Sequence, residues 1–260
     1  MSKGVGTPRL SATSVYAAVP RRTNFRVLAV RPNADLTVCS LRVDKSMSLV
    51  FLSDQLTRDN DETDYAIMSL LEERNNHSIF YIPSQADKER FFYSMAVSYY
   101  SRFGVRVLDY FDLENEYDAK RIDELFQAGA VHLSGGSTFH FLQNLQRRSF
   151  LTVLQKYAAN GGTLIGVSAG ALLMTPHIEA SLVYGDPFIK GIDTRALNLV
   201  DWEFFPHINS LITEEKIIQY SKRSGKRILS CKDGDGIIVS ETGTRFIGIV
   251  REYYKGVLLL

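Results

Sequence analysis

Thr163-Leu164-Ile165-Gly166-Val167-Ser168-Ala169-Gly170-Ala171-Leu172-Leu173-Met174 is the stretch that decides the fold. Its first five residues form an apolar run of strand length, its last four read as the buried first turns of a helix, and Gly-x-Ser-x-Gly joins them. A strand that turns sharply into a helix over a serine is the layout of a nucleophile elbow. A hydroxyl is a poor nucleophile, so it must be held where a base reaches it from one side and an acyl carbon from the other. Gly166 and Gly170 lack the Cβ atoms that would crowd such a turn. Ala169 is small enough to aim its backbone N–H at a developing oxyanion, and the dipole of the following helix favours negative charge at Ser168. The same pentapeptide also fits an ordinary strand end with a helix N-cap serine, so its surroundings have to discriminate.

Outward from the elbow, strand-like and helical runs alternate. Leu49 to Leu52, Ser78 to Ile82, Val105 to Leu108 and Ala130 to Leu133 are short apolar runs. Between them Glu62 to Arg74, Lys88 to Phe103 and Ala119 to Gln127 carry helical patterning, followed by Phe139 to Leu145 and Leu151 to Ala159, with Gly104 and Gly161-Gly162 as stops. Strand, helix, strand repeated in this way predicts an α/β fold: a mainly parallel sheet with helices on both faces, binding ligands outside the carboxyl ends of its strands. After a helix over Thr213 to Lys222, the runs Arg227 to Ser230, Gly236 to Ser240, Arg245 to Val250 and Gly256 to Leu260 are separated by Asp-Gly and Thr-Gly turns. They predict a C-terminal antiparallel β meander closing one edge.

Composition narrows the class. With 260 residues, 45% hydrophobic and 23% charged, the chain has material for one sizeable core, and its net charge of +1 argues for neither nucleic acid nor a membrane surface. Apolar runs fall short of the ~20 residues a spanning helix needs. Cys39 and Cys231 form no C-x-x-C pair, which fits a reducing, cytoplasmic setting without disulfide or zinc framework. Residues 1–46 hold eight of the 30 basic residues and two of the 29 acidic ones, leaving 22 against 27 in 47–260. The segment reads as an extension outside the core. Its composition fits an organelle transit peptide, a disordered tail, translation from an upstream start or an added leader, and Ser46-Met47-Ser48-Leu49-Val50 reads as a start running into a first strand. Phe25 to Val30 is the one run in it that could add an edge strand.

A serine nucleophile needs a base. Of His77, His132, His140, His177 and His207, only His207 has suitable surroundings: Glu203-Phe204-Phe205-Pro206-His207 ends a strand and fixes the loop beyond it. The chain order serine, acid, histidine is a known arrangement of a triad. Between Ser168 and His207 lie Glu179, Asp186, Asp193 and Asp201; Asp186, in the tight turn Tyr184-Gly185-Asp186-Pro187, is preferred as the carboxylate, with Glu179 as the alternative. A second oxyanion donor is expected from Ser134-Gly135-Gly136-Ser137-Thr138, where paired glycines let backbone N–H groups face inward. Gly136 is taken as that donor beside Ala169, and Gly135, Ser137 and Thr138 as substrate-binding positions. Acyl chemistry of this kind needs neither metal nor cofactor.

Leu133-Ser134-Gly135-Gly136-Ser137-Thr138-Phe139, Gly166-Val167-Ser168-Ala169-Gly170-Ala171 and Phe205-Pro206-His207, in this order and spacing, resemble the peptidase E and cyanophycinase family of serine peptidases from about Met47 onward. Ala196-Leu197-Asn198-Leu199 adds to the likeness. The resemblance implies a fold like the class I glutamine amidotransferases, Ser168 as nucleophile, His207 as base and Asp186 as the acid, with Gly136 and Ala169 forming the oxyanion hole. It also implies a dipeptidase that removes an N-terminal Asp, whose carboxylate the family holds with an arginine in a long loop after the histidine. Here Ser210-Leu211-Ile212-Thr213-Glu214-Glu215-Lys216 is short and holds no arginine, and Ser137 stands where the family often has asparagine. Lys190, Arg195 and Lys216 are the cations left to substitute, each more often a solvated surface charge.

The expectation is therefore a cofactor-free serine exopeptidase, monomeric or homodimeric, acting on short peptides. An esterase sharing the elbow and triad order, and a non-catalytic binding relative, are the competing readings.

Overall fold

The computed structural model describes residues 47–55, 61–105, 107–209 and 212–260. The N-terminal extension, with its Phe25 to Val30 run, lies outside the described residues. Five parallel strands carry the architecture: β1 (Ser48–Leu52), β2 (Ser78–Ile82), β3 (Val107–Tyr110), β4 (Ala130–Leu133) and β5 (Thr163–Val167). They stand in the order β3-β2-β4-β5-β1, so the elbow strand β5 is flanked by β4 and β1. All five residues of β1 pair in parallel with β5, from Ser48 opposite Thr163 to Leu52 opposite Val167.

Successive residues of a strand face opposite sides of the sheet, and the core divides accordingly. Leu49 and Phe51 of β1 join Phe80, Ile82, Val131, Leu133 and Leu164 in one cluster, packed by helices α4 (Thr138–Arg147), α5 (Phe150–Ala159) and α6 (Ala169–Met174). Val50 and Leu52 join Ile79, Tyr81, Ile165 and Val167 on the other face, under α1 (Asp61–Glu73) and α2 (Phe91–Ser101). A sheet covered on both faces explains why these strands read as continuous apolar runs rather than alternating ones. The helix α3 (Ile122–Gln127) follows a 3₁₀ turn at Ala119–Arg121.

The helix boundaries follow from capping chemistry. The run expected as a helix from Lys88 begins at Phe91, because Asp87 accepts hydrogen bonds from the Phe91 and Tyr93 N–H groups at 2.9 and 3.0 Å. The expected stop at Gly104 holds, its φ of +75° lying in the left-handed region. The third strand forms two residues later than expected.

Antiparallel strands follow at the C-terminus and serve two sheets. β8 (Gly236–Ser240) and β9 (Gly243–Ile247) extend the main sheet beyond β1, whereas β7 (Arg227–Cys231), β10 (Val250–Tyr254) and β11 (Val257–Leu258) form a second sheet with β6 (Glu203–Phe205). One expected strand, Arg245 to Val250, is thus the end of β9 and the start of β10. The break between them is Gly248, with φ +72°, where an added Cβ would fall on the Asp235 carboxylate. Asp235 holds this corner by accepting from Ile249 N–H at 3.1 Å. The second sheet packs its Phe204 against Phe51 of β1, ring centroids 5.7 Å apart, and carries α7 (Glu214–Ser224) on its far side through Ile217 and Tyr220.

Candidate active site

The carboxyl ends of β1, β4 and β5 meet at Ser168. Its backbone lies at φ 50°, ψ −108°, a conformation L-residues rarely adopt, held because Ser168 N–H donates to Leu52 O at 2.9 Å while its carbonyl accepts from Ala171 and Leu172 N–H at 3.0 Å each. Both glycines of the elbow are sterically required. A Cβ on Gly166 would come within 2.6 Å of Gly170 O, and one on Gly170 would overlap the Leu133 carbonyl of β4. Small residues therefore let the elbow pack directly on the neighbouring strand, and Gly170 N–H binds Ser134 O there at 3.1 Å. The serine thus stands in a strained turn at the N-cap position of α6 without capping it: its side chain makes no cap hydrogen bond.

His207 follows β6 and Pro206, and its φ of 54° is also left-handed. Its Nε2 lies 2.8 Å from Ser168 Oγ, and its Nδ1 lies 2.6 Å from Asp233 Oδ1. A carboxylate oxygen only accepts, so Nδ1 carries the proton and Nε2 presents its lone pair to the serine hydroxyl. Buried Ser53, directly after β1, braces the pair: its Oγ accepts from His207 N–H at 2.6 Å and donates to Asp233 Oδ1 at 2.9 Å. Tyr184 closes the other flank, its hydroxyl donating to Pro206 O at 2.6 Å and its ring edge-on to His207.

The carboxylate on His207 is therefore Asp233, from the β7–β8 loop, and not Asp186. Asp186 instead sits at the N-terminus of α4, where Oδ1 accepts from Ser137 Oγ at 3.0 Å and Oδ2 from Thr138 N–H at 2.7 Å. The tight turn does aim a carboxylate, but at a helix start whose unpaired N–H groups and dipole attract it. Glu179 is engaged with Thr194 and Lys226, and Asp193 with Arg195. Three of the other four histidines have partners other than Ser168: His132 is buried in β4 against Tyr100, His140 contacts Glu114, and His177 bridges to Arg195.

Sequence reasoning missed Ser53 and Asp233. Asp233 lies in Lys232-Asp233-Gly234-Asp235-Gly236, where Asp-Gly reads as turn chemistry and conceals a second use for the carboxylate.

Around Ser168 the Gly135-Gly136 segment runs close. An added Cβ on Gly135 would lie 3.6 Å from Ser168 Cβ, and Gly136, with φ +132°, has no room for one beside Ser84. Ala169 N–H is at the first position of α6, among the donors a helix leaves unpaired. Ser137 is the N-cap of α4 and Thr138 its first residue, so the hydroxyl of Ser137 is committed to Asp186 and to the cap.

Two cavities flank the Ser168–His207 pair. One of about 370 Å³ includes Gly135 and Gly136 and extends to Tyr81, His132 and Gln55; the other, about 210 Å³, includes Thr138, Leu172, Tyr184 and Asp186. Among the described residues no three His, Cys, Asp or Glu side chains gather as a metal site, and no helix is long and apolar enough to cross a membrane.

The sequence pattern of peptidase family S51 matches residues 49–247. The chain is 33% identical over 139 residues to an uncharacterised peptidase of Pasteurella multocida, covering 51% of this chain and 65% of that protein. It is 30% identical over 126 residues to a peptidase E of a Nostoc species, covering 46% and 51%. The matched stretches thus span half to two thirds of these relatives' own length. Among solved structures, a putative peptidase E from Listeria monocytogenes superposes with a TM-score of 0.59 at 20% identity, covering 80% of this chain and 98% of that one. A peptidase from an acI-B1 actinobacterium gives 0.63 at 16%, covering 83% and 93%. At these identities the structural likeness is one of fold.

Proposed function

The chain belongs to peptidase family S51, and on that premise we propose that it is a serine peptidase cleaving short peptides through an acyl-enzyme on Ser168. One observation carries the reading: the unbroken chain from Ser168 Oγ to His207 Nε2 at 2.8 Å and from His207 Nδ1 to Asp233 at 2.6 Å. In this reading His207 takes the serine proton as Oγ attacks the scissile carbonyl, and the carbonyl oxygen becomes an oxyanion facing the N–H groups of Gly136 and Ala169. Asp233 holds the imidazole in the reactive tautomer and stabilises it while it is charged. The proton then passes to the leaving amine. Water, deprotonated by the same His207, hydrolyses the ester and frees Ser168. The two cavities on either side of the serine suit a peptide with one residue on each side of the scissile bond, which favours a dipeptidase. The N-terminal Asp implied by the resemblance is left out of the proposal, because the larger cavity has no lysine or arginine among its described lining residues.

The test is hydrolysis of a panel of Asp-Leu, Glu-Leu, Ala-Leu, Lys-Leu and β-Asp-Arg by the wild type beside Ser168→Ala, together with labelling by a fluorophosphonate. Cleavage of any member that disappears in Ser168→Ala, with stoichiometric labelling of Ser168, is the expected result. A protein that neither cleaves nor labels would end the serine-peptidase reading.

A further inference from the structure

Ser84, Ser134 and Ser137 border the Gly135-Gly136 segment, and two of these serines are committed to holding it. Ser134 N–H donates to Ile82 O at 3.1 Å, stitching the end of β4 to the end of β2, while Ser134 Oγ accepts from Ser84 N–H at 2.8 Å and donates to Gly135 O at 3.0 Å. Ser137 Oγ is taken up by Asp186 and by the cap of α4. The third, Ser84, follows β2 and Pro83 and is 3% exposed. Its N–H is used on Ser134, yet its hydroxyl makes no hydrogen bond among the described residues. Burying a hydroxyl without a partner is unfavourable, and this one lines the cavity that Ser168, Gly135 and Gly136 also line. Its partner therefore comes from the cavity side. A Cβ added to Gly136 would lie 2.1 Å from Ser84 Oγ. Adding the N–Cα and Cα–Cβ bonds to that gap puts the hydroxyl oxygen no more than about 5 Å from Gly136 N. Two donors that close both reach a single oxygen at about 2.9 Å. Glycine at 136 also keeps the hydroxyl uncovered, since a side chain there would occupy its place.

Resting on the peptidase reading above, we propose that the Ser84 hydroxyl is a third donor to the oxyanion formed when Ser168 attacks, beside the N–H groups of Gly136 and Ala169. As Ser168 Oγ bonds to the carbonyl carbon, the C=O π pair moves onto oxygen and Ser84 Oγ–H donates to it. When the intermediate collapses, the pair returns to carbon and the amine leaves with the proton carried by His207. Ser84 keeps its own proton throughout. Its backbone is already fixed by Ser134, so donation requires only a turn of the hydroxyl. A hydrogen bond to a charged acceptor is stronger than one to the neutral carbonyl, so the contribution falls on kcat rather than on KM.

The experiment uses the full chain with Ser84→Ala, with Ser84→Cys, which keeps the bulk and weakens the donor, and with Ser84→Thr, which keeps the hydroxyl. kcat and KM are measured on the member of the dipeptide panel that the wild type cleaves fastest. Melting temperatures are recorded beside the second-order rate at which a fluorophosphonate labels Ser168, a reaction whose phosphoryl oxygen stands in the oxyanion's place as fluoride leaves. Ser84→Ala and Ser84→Cys are expected to lower kcat about 10- to 100-fold, with KM within about threefold of wild type. Labelling should slow in parallel, the melting temperature should change little, and Ser84→Thr should recover most of the lost kcat. Unchanged kcat and labelling in Ser84→Ala and Ser84→Cys, or a loss that appears in KM alone, overturns the oxyanion role while Ser168 remains the nucleophile. A loss of equal size in all three variants, with lowered melting temperatures, overturns it in favour of packing. A wild type that neither cleaves nor labels removes the peptidase reading, and this inference with it.

Discussion

Replacing Asp233 by asparagine separates the carboxylate bound to His207 from the one the chain order favours. The change keeps the side chain's shape and removes two things. The first is the acceptor that fixes the proton on Nδ1: an asparagine amide can donate to Nδ1 instead, moving the proton to Nε2, where it opposes Ser168. The second is the attraction between Asp233 and the imidazolium formed during attack. For charges about 4 Å apart this is about 1 kcal/mol in water and about 4 kcal/mol near a protein surface. The Asp233 and His207 side chains are 45% and 31% exposed, so the value lies between these limits. In the buried chymotrypsin-type triad the same change lowers kcat about 10⁴-fold. Partial exposure moderates it here, and a fall of about 10² to 10³ in kcat, or roughly 3 to 4 kcal/mol of barrier, is expected. Asp186→Asn, in contrast, weakens the charged cap of α4 and is expected to lower stability by about 1 kcal/mol with kcat within about tenfold of wild type. The assay is kcat and kcat/KM on whichever dipeptide is cleaved best, with thermal melts and fluorophosphonate labelling rates for both variants. A folded Asp233→Asn enzyme within threefold of wild type, beside an Asp186→Asn enzyme that has lost 10² or more, would refute the assignment drawn from the His207 geometry.

Other expectations follow from the same geometry. Ser168→Ala and His207→Ala should each abolish turnover with melting temperature little changed, and near-normal hydrolysis by either would remove that residue from the mechanism. Gly170→Ala forces a methyl into the Leu133 carbonyl and is expected to destabilise by about 3 kcal/mol or more, whereas Gly185→Ala, at φ +77° with nothing within 4 Å, should lose only about 1 kcal/mol; equal melting temperatures for the two would contradict the steric argument. His132 titrates near 3 when folded and near 6.5 when unfolded, so below pH 6.5 the unfolded chain binds a proton that the native state refuses. Its contribution to stability is present above pH 6.5 and is lost as pH falls towards 3, by about 1.4 kcal/mol per unit. Urea midpoints at pH 7 and pH 5 should therefore fall more steeply for the wild type than for His132→Asn; parallel slopes would show that the histidine is not the group titrating.

The elbow, the two-faced parallel sheet and His207 were legible because each is written locally. Apolar runs of strand length need no partner to be recognised, and Gly166 and Gly170 announce a close approach whichever backbone they meet. Gly248 was local too, yet its effect was not legible: a strand-like run crosses it, and only the Asp235 carboxylate at its Cα makes the chain leave one sheet there and enter the other. The acid was misplaced for a related reason. Asp186 and Asp233 both occupy turns that can aim a carboxylate, and turn chemistry does not say at what. Ser53 and Asp233, 180 residues apart in the chain, are brought onto His207 because β8 pairs with β1 while β6 pairs with β7. The sequence by itself pointed to Ser168 as the candidate nucleophile, to His207 as its candidate base and to a parallel sheet covered on both faces, since these rest on spacing and on residues too small to replace. The tertiary structure alone decided which carboxylate meets His207 and set the Ser53 brace beneath the pair, because electrostatic partnership depends on distances across strands that local pattern does not encode.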